Sequence, residues 1–475
     1  MTYTGFRHYD RTVTSRVAKV NDHNSAWANM EPHWILIEDL LEGTYGMRKK
    51  HRRYLPQEPR EQDDSYDNRL SRSVCPPYYQ RLERMLAGML TRKPVRLDDV
   101  NDDIREQLFN VDLQGHDLNV WTYEITRKLV RYGHVGVLVD APVEGEGRPY
   151  WVTYTPRDIL GWRSEIANGA VRLTQLRLME RIVEPDGDFG EKRVEQIRVL
   201  EPGRFSLYRR DDNSDWVKTD EGDTNLPEIP FGIAYSNRTG LLESRPPLED
   251  IAELNLKTYQ VQSDLDNQLH ISAVPMLAFY GFPSSAEEVS AGPGEAIAFP
   301  PEGRAEYIEP EGKSFDAQFK RLDQLARQIN ELGLSAVLGQ KLTAETAEAK
   351  SIDRSQGDST MMVIAQQVQD LIDNCLQFHA AFLGVSDIGS SYVNRDFIGA
   401  RLEPAEQLAL LQLYTAGTIS QKTLLEQLAA GEVLGDDFDM EEELEATQMG
   451  GLIQMEGGAD QTPDMTDEDM PMPEE

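Results

Sequence analysis

Apolar residues first recur at helical spacing in Trp34-Ile35-Leu36-Ile37-Glu38-Asp39-Leu40-Leu41, and Gly43 closes that helix. A basic run, Arg48-Lys49-Lys50-His51-Arg52-Arg53, leads into Tyr54-Leu55-Pro56, where proline forces the chain out of helix. Tyr78 to Leu90 is amphipathic, with Leu82, Met85, Leu86 and Met89 on one side and Lys93-Pro94 as the stop. From Val120 a helix carrying Trp121, Ile125 and Leu129 runs into Tyr132-Gly133-His134-Val135-Gly136-Val137-Leu138-Val139-Asp140, which reads as a buried strand. Strand text then dominates: Trp151 to Tyr154, Val171 to Met179, Val194 to Leu200, Arg204 to Tyr208, and Ile233 to Tyr235. Turns are expected at Pro185-Asp186-Gly187, at Asp211 to Asp215 and at Glu221-Gly222-Asp223, giving an antiparallel β region with short hairpins.

Pro246-Pro247 marks a new helix start. The helix runs to about Ile271 with a seam of Ile251, Leu254, Val261 and Leu265, Thr258 completing the spacing, and Pro275 ends it. Residues 276–310 switch to strands and turns (Met276 to Tyr280, Ala296 to Phe299, Ala305 to Ile308). Helical spacing returns with Phe315, Phe319, Leu322, Ala326 and Ile329, so two helices bracket a small β module. Gln340 to Asp353 lacks an apolar face and reads as an exposed loop. A long helix follows, capped by Asp358 or Ser359 and ended by Gly384, with a seam of Met361, Ile364, Val368, Leu371, Cys375, Phe378 and Phe382. A heptad held that long implies a partner helix along its length, and Cys375 within it is an inert buried thiol. Tyr392 to Ile398 is expected as a short strand, and Glu403 to Ala416 and Gln421 to Ala430 as paired helices, each followed by a glycine.

Composition narrows the possibilities. The 475 residues carry 82 acidic against 48 basic side chains, a net charge of -34, which excludes a general nucleic-acid coat or an anionic-membrane binder. From Glu432 to Glu475 there are sixteen acids and no Lys or Arg, a segment too poor in apolar area to offset its chain entropy and therefore expected to be disordered. Two cysteines rule out a disulfide framework or a Cys-rich zinc module. No apolar run approaches the ~18 residues that span a bilayer, and Met1 to Asp10 lacks the apolar stretch of a secretory signal.

Motifs for chemistry fail on inspection. Gly312-Lys313-Ser314 lacks the glycine a phosphate loop needs five residues earlier, where Tyr307 stands. Gly292-Pro293-Gly294 is a turn without a third glycine. Asp211, Asn213 and Asp215 have calcium-loop spacing, but Trp216 replaces the required glycine and Gly222 the final carboxylate. The eight histidines form no metal pair, and His134, in a buried strand, is a core residue rather than a ligand. Asp98-Asp99 and Asp102-Asp103 are chance adjacencies in an acidic chain. No catalytic residue, metal site or cofactor is expected.

The order of elements resembles the portal proteins of tailed bacteriophages, in particular a siphovirus-type subgroup carrying a domain of unknown function. The likeness rests on Tyr54-Leu55-Pro56 with Tyr66; Tyr132-Gly133 through Leu138-Val139-Asp140-Ala141-Pro142; and Tyr150-Trp151-Val152-Thr153-Tyr154 to Asp158-Ile159-Leu160-Gly161-Trp162-Arg163. It continues in Pro246-Pro247-Leu248 through Asp250-Ile251-Ala252-Glu253-Leu254-Asn255-Leu256, in Leu332-Gly333 and in Glu345-Thr346-Ala347-Glu348-Ala349.

The resemblance implies an α+β portal fold. Residues 1–245 would be the wing, 246–272 and 313–337 the two stem helices, and 273–312 a small α/β clip. A tunnel loop would occupy 338–350, further wing elements 351–400, helical crown 401–447 and a disordered acidic tail 448–475. Gln340, Lys341, Thr343, Lys350 and Arg354 would face DNA, the cations giving weak phosphate contacts or standing as ordinary solvated charges. It implies a non-enzymatic ring of twelve copies at one capsid vertex, built in the host cytoplasm and carried in the virion. Double-stranded DNA would pass through its acidic bore during packaging and ejection. Expected partners are the terminase large subunit, a head-completion adaptor, and the major capsid and scaffolding proteins, with no membrane. The rival readings are another head–tail junction protein, such as an adaptor or connector, and a Mg-dependent acidic nuclease.

Overall fold

The run His134-Val135-Gly136-Val137-Leu138-Val139 is apolar without alternation because both of its faces are covered. In the computed structural model it forms the central strand of a three-stranded antiparallel sheet, and every one of these six residues is buried. The structure describes residues 18–141, 147–167, 169–224, 226–273, 276–280, 303–308, 313–338, 347–395, 397, 404–430 and a few positions between 433 and 444. The expected strand at Ala296 to Phe299 and the acidic tail lie outside them. The chain divides into two compact units, Met1–Phe397 and Ile398–Glu475.

The first unit begins with α1 (Ser25–Leu41), α2 (Gly43–Lys49), α3 (Asp63–Arg72) and α4 (Tyr78–Leu90). Helix α1 starts nine residues before the Trp34 run and passes through Pro32. Two buried indoles seven residues apart outweigh the proline: Trp27 Nε1 donates to the Pro156 carbonyl at 3.0 Å and Trp34 Nε1 to that of Tyr132 at 3.1 Å. After β1 (Arg96–Asp98) and α5 (Asp102–Gln107) comes α6 (Leu118–Tyr132), capped by Asp117, whose carboxylate accepts from the Val120 N–H at 2.8 Å. Glu83 on α4, fully buried, accepts from Arg127 and Arg131 of α6 at 3.1 and 2.7 Å and ties the two helices together.

Gly133 ends α6 at φ +86, and a Cβ there would lie 2.5 Å from Ser244 Oγ and 2.7 Å from the Arg245 backbone. Gly133→Ala is therefore expected to cost about 1–3 kcal/mol from the left-handed backbone alone, with the clash added. A thermal melt within one degree of the parent would refute this.

The central strand is β2 (His134–Asp140), flanked by β3 (Tyr150–Tyr154) on one side and, later in sequence, β9 (Phe231–Tyr235) on the other. A five-stranded antiparallel meander follows β3: β4 (Ile159–Ala167), β5 (Ala170–Asp186), β6 (Gly190–Glu201), β7 (Arg204–Arg210) and β8 (Trp216–Asp223). Glu221-Gly222-Asp223 is thus strand, not turn. Gly222 stands opposite Phe205, and a Cβ on it would meet that ring at 2.8 Å, so the glycine marks a packing notch. Val135, Val137 and Val139 join the main core with Leu129, Leu371 and Ile372. Leu138 points into a second core with Tyr154, Leu176, Leu178, Leu200 and Phe231. Both ends of the long strand β5 are bare: Ile166 and Val171 at the β4–β5 hairpin, and Val183 and Phe189 at the β5–β6 hairpin, are exposed.

After a small pair, β10 (Arg238–Gly240) and β11 (Glu243–Ser244), come α7 (Glu249–Ser272), β12 (Met276–Tyr280), β13 (Arg304–Ile308) and α8 (Lys313–Leu338). β12 and β13 pair antiparallel, Met276 opposite Ile308 and Tyr280 opposite Arg304, and α7 packs against α8. The long helix α9 (Ala347–Leu383) then lies on α8, β2 and β9. It starts at Ala347, well before the expected cap at Asp358 or Ser359. β14 (Ser390–Tyr392) pairs with β1. The strand expected over Tyr392 to Ile398 therefore ends at Tyr392, and Val393 and Phe397 turn into the core.

The second unit contains α10 (Pro404–Thr415) and α11 (Gln421–Ala430), packed on each other. Among the described residues of both units, no helix is long and apolar enough to cross a membrane.

Candidate functional site

The candidate site is the hairpin of α7 and α8 with α9 at its root. Of the seam expected on α7, Ile251 and Leu265 are buried, while Leu254 and Val261 are only half-buried. The face that packs is instead Ile251, Ala252, Asn255, Thr258, Tyr259, Ser263 and Leu265, much of it polar. Asn255 Oδ1 accepts from the Tyr79 N–H at 2.9 Å, and its Nδ2 donates to the Pro76 carbonyl at 2.9 Å. Ser263 meets Ser73 at 2.6 Å, and Gln260 donates to the Tyr54 carbonyl at 3.0 Å. Arg69 on α3, itself 4% exposed, pairs with Glu61 at 2.7 Å and reaches Asp264 at 3.6 Å. Hydrogen bonding to Glu61 raises the Arg69 pKa, against the opposing effect of burial. Directional bonds rather than apolar area fix the register of α7 on the body.

On α8 the expected seam holds only in part. Phe315 and Leu322 are half-buried, Phe319 is 49% exposed, and Ile329 is fully buried. Leu325, absent from the expected seam, is fully buried, one position before the expected Ala326. Gly333 continues that face: a Cβ on it would meet Leu82 of α4 at 2.7 Å. The signal was the glycine itself, inside a helix and costly there unless something approaches closely.

Helix α9 buries two rows from Met361 onward. Ile364, Val368, Leu371 and Cys375 are buried as expected, Ala365, Ile372 and Leu376 join them, and Phe378 and Phe382 are half-buried. Burial raises the Cys375 thiol well above its ordinary range, which withholds the thiolate. Of the residues expected in a tunnel loop, Gln340, Lys341 and Thr343 lie outside the described residues. Lys350 and Arg354 stand on the first turns of α9, not in a loop.

Two buried histidines brace the sheet behind this site. His379 on α9 accepts from Trp151 Nε1 at its Nδ1 (3.2 Å) and donates from Nε2 to Gln107 Oε1 (2.8 Å), a pattern that requires the neutral ring. Burial, with Arg148 adding to it, pushes it down to about 4. His134 sits 2.7 Å from Ser244 Oγ, and burial pushes it down to about 3. Both are structural residues, and among the described residues no cluster of His, Cys, Asp or Glu could hold a metal ion.

Residues 247–383 match one family model. It is described as "Domain of unknown function (DUF4055)", and its span runs from two residues before α7 to the last residue of α9, so it covers the whole hairpin and its root. No curated protein matches the chain. Among solved structures, a chain from the neck of an empty GTA particle, computed with C6 symmetry, is similar at a TM-score of 0.40 and 11% identity, over 74% of this chain and 90% of that one. A chain from the virion of a native gene transfer agent (GTA) particle is similar at 0.41 and 12%, over 75% and 90%.

Proposed function

We propose that this protein is a ring-forming structural subunit of the head–tail junction of a phage-like particle, and within that class a portal. Copies close around a channel for double-stranded DNA at one capsid vertex, with α7 and α8 as the stem and the β12–β13 end projecting as the clip. The observation that carries the reading is how apolar surface is spread along the hairpin. Its root is buried, whereas near the strand pair Ile271 (64% exposed), Leu269 and Phe319 stand open. The chain's turn from α7 through β12–β13 to α8 brings these side chains to one end, where a neighbouring copy would cover them.

Charge supports a channel wall of limited stickiness. Helix α7 carries five acids and one lysine, whereas α8 carries three acids and four basic residues. Over the two helices together acids outnumber basic residues by eight to five, a slight negative excess that disfavours lasting phosphate contacts. Twelve copies, residence in the virion after assembly in the host cytoplasm, and docking of the terminase large subunit and a head-completion adaptor at the clip follow from the portal reading. So do contacts with capsid and scaffolding proteins and the lack of catalysis.

The test is assembly. Purified protein is expected to form closed rings with a central hole in negative stain, and Phe319→Glu is expected to return it to monomers of 53.8 kDa in mass photometry with unchanged circular dichroism. Wild-type protein that stays monomeric at all concentrations overturns the proposal.

A further inference from the structure

In a chain of net charge -34, one cleft gathers two arginines that make no ion pair with any described carboxylate. It encloses about 430 Å³ where residues 18–24 cross strands β4 and β5, and Lys19, His23, Asn24, Trp162, Arg163 and Arg177 line it. Arg163 faces solvent, and its guanidinium makes no hydrogen bond or ion pair to any described residue. Arg177 is spent on neutral acceptors: Nη1 donates to the carbonyls of Val20 at 2.7 Å and Lys19 at 3.4 Å, and Nη2 to Asn24 Oδ1 at 3.4 Å. No described carboxylate comes within ion-pair distance of it.

The two arginines share a face. Arg163 stands opposite Gln175 and Arg177 opposite Gly161, so the guanidinium stems are diagonal neighbours across the β4–β5 pair. Diagonal neighbours on one face lie within reach of each other's charge, and two guanidinium groups so placed repel. Burial disfavours the charge on Arg177, and Arg163 adds to that while Asp22 opposes it. Asp22 is the one acid lining the cleft, and its Oδ2 is engaged by the Lys19 N–H at 2.8 Å. Lys19 itself reaches outward to Asp215 at 3.6 Å, both side chains being largely exposed. A bound anion would relieve this repulsion and meet the forked donors of Arg163.

We propose that this cleft docks an acidic segment of a protein partner, one carboxylate of which is received by Arg163 in the field of Arg177 and Lys19. The surroundings favour a protein carboxylate over a nucleic acid. Glu165 stands two residues along β4 and Asp215 beside Lys19, and a duplex, with a phosphate charge about every 1.7 Å of its axis, would run its backbone onto them. The backbone adds a second element of recognition. β4 is an edge strand whose outer side is covered by Asn24, bonded to the Leu160 and Trp162 carbonyls at 3.0 and 3.3 Å. From Ser164 to Ile166 that strand is exposed and, among the described residues, unpaired on its outer edge, which suits it to an extended chain.

The probe is a fluorescein-labelled, N-acetylated Gly-Glu-Asp-Glu-Gly peptide titrated into the full-length protein and followed by anisotropy. Saturable binding that weakens with added salt is expected. Arg163→Glu is expected to lower the affinity at least about tenfold, and Arg163→Lys less, because it keeps charge but loses the fork. Arg163 supports no other described side chain, so its variants keep the fold, as circular dichroism would report. Binding that is absent, or unchanged in Arg163→Glu, overturns the proposal. So does inorganic phosphate binding as tightly as the peptide, which would mark a small-anion site. A short DNA duplex that binds more tightly than the peptide and is lost in Arg163→Glu would reassign the cleft to nucleic acid.

Discussion

Lowering the pH from 7 to 4 is expected to strip several kcal/mol from the folded protein, through His379 and His134. In the unfolded chain a histidine titrates near 6.5. In the fold, burial holds His379 down to about 4 and His134 down to about 3. Above pH 6.5 both rings are neutral in either state, and the stability is complete. As the pH falls below 6.5 the unfolded chain takes up protons that the folded one refuses, so stability declines, through pH 4 for His379 and towards pH 3 for His134. Each histidine contributes roughly 3–5 kcal/mol across its window, as an order of magnitude. The hydrogen bonds give the same sign independently, since a proton on Nδ1 of His379 would face the Trp151 N–H. Urea midpoints measured from pH 7 to 4 check this, with His379→Gln as control. An undiminished acid slope in that variant would show that His379 is not the group responsible.

Asn255→Leu is expected to be the most damaging single change on α7. Asparagine is the residue that both accepts from the Tyr79 N–H and donates to the Pro76 carbonyl, where the Pro76-Pro77 pair leads into α4. Leucine would leave the buried Tyr79 N–H without a partner, at about 1–3 kcal/mol, while the Pro76 carbonyl would keep the Tyr78 N–H at 3.0 Å. The expected loss is therefore about 1–3 kcal/mol, and Asn255→Asp, which keeps the acceptor for the Tyr79 N–H, should recover most of it. Chemical denaturation decides the matter: a midpoint equal to the parent's would mean that water reaches these groups.

Much of the architecture was legible because burial leaves a period in the text. The apolar run of β2 and the helix–strand–helix order from residue 247 are found where the spacing places them, although α6 runs on through Tyr132 and the strand begins at His134, two residues later than expected. Legibility failed where stability came from elsewhere. The beginning of α9 has no apolar face, yet Ala347-Glu348-Ala349-Lys350 are strong helix formers, and propensity suffices there. Asn255 and Ser263 on α7 fall outside the expected seam because a pattern cannot say that polar side chains will meet the main chain of Pro76 and Tyr79 or the hydroxyl of Ser73. Strand β8 was lost because Gly222, the notch under Phe205, carries the same letter as a turn glycine. The cleft at Arg163 was invisible for a related reason: its members come from residues 19–24, β4 and β5 and share no motif.

The hairpin of α7 and α8 is gripped at one end only. Leu265, Leu325, Ile329 and Gly333 are sunk into neighbouring structure, while Leu269, Ile271 and Phe319 are not. Mechanically it is a cantilever. A load at β12–β13 reaches the body as torque, borne by Gly333 against Leu82 and by the bonds of Asn255, so stiffness in this protein resides in a few contacts far from where a partner would push.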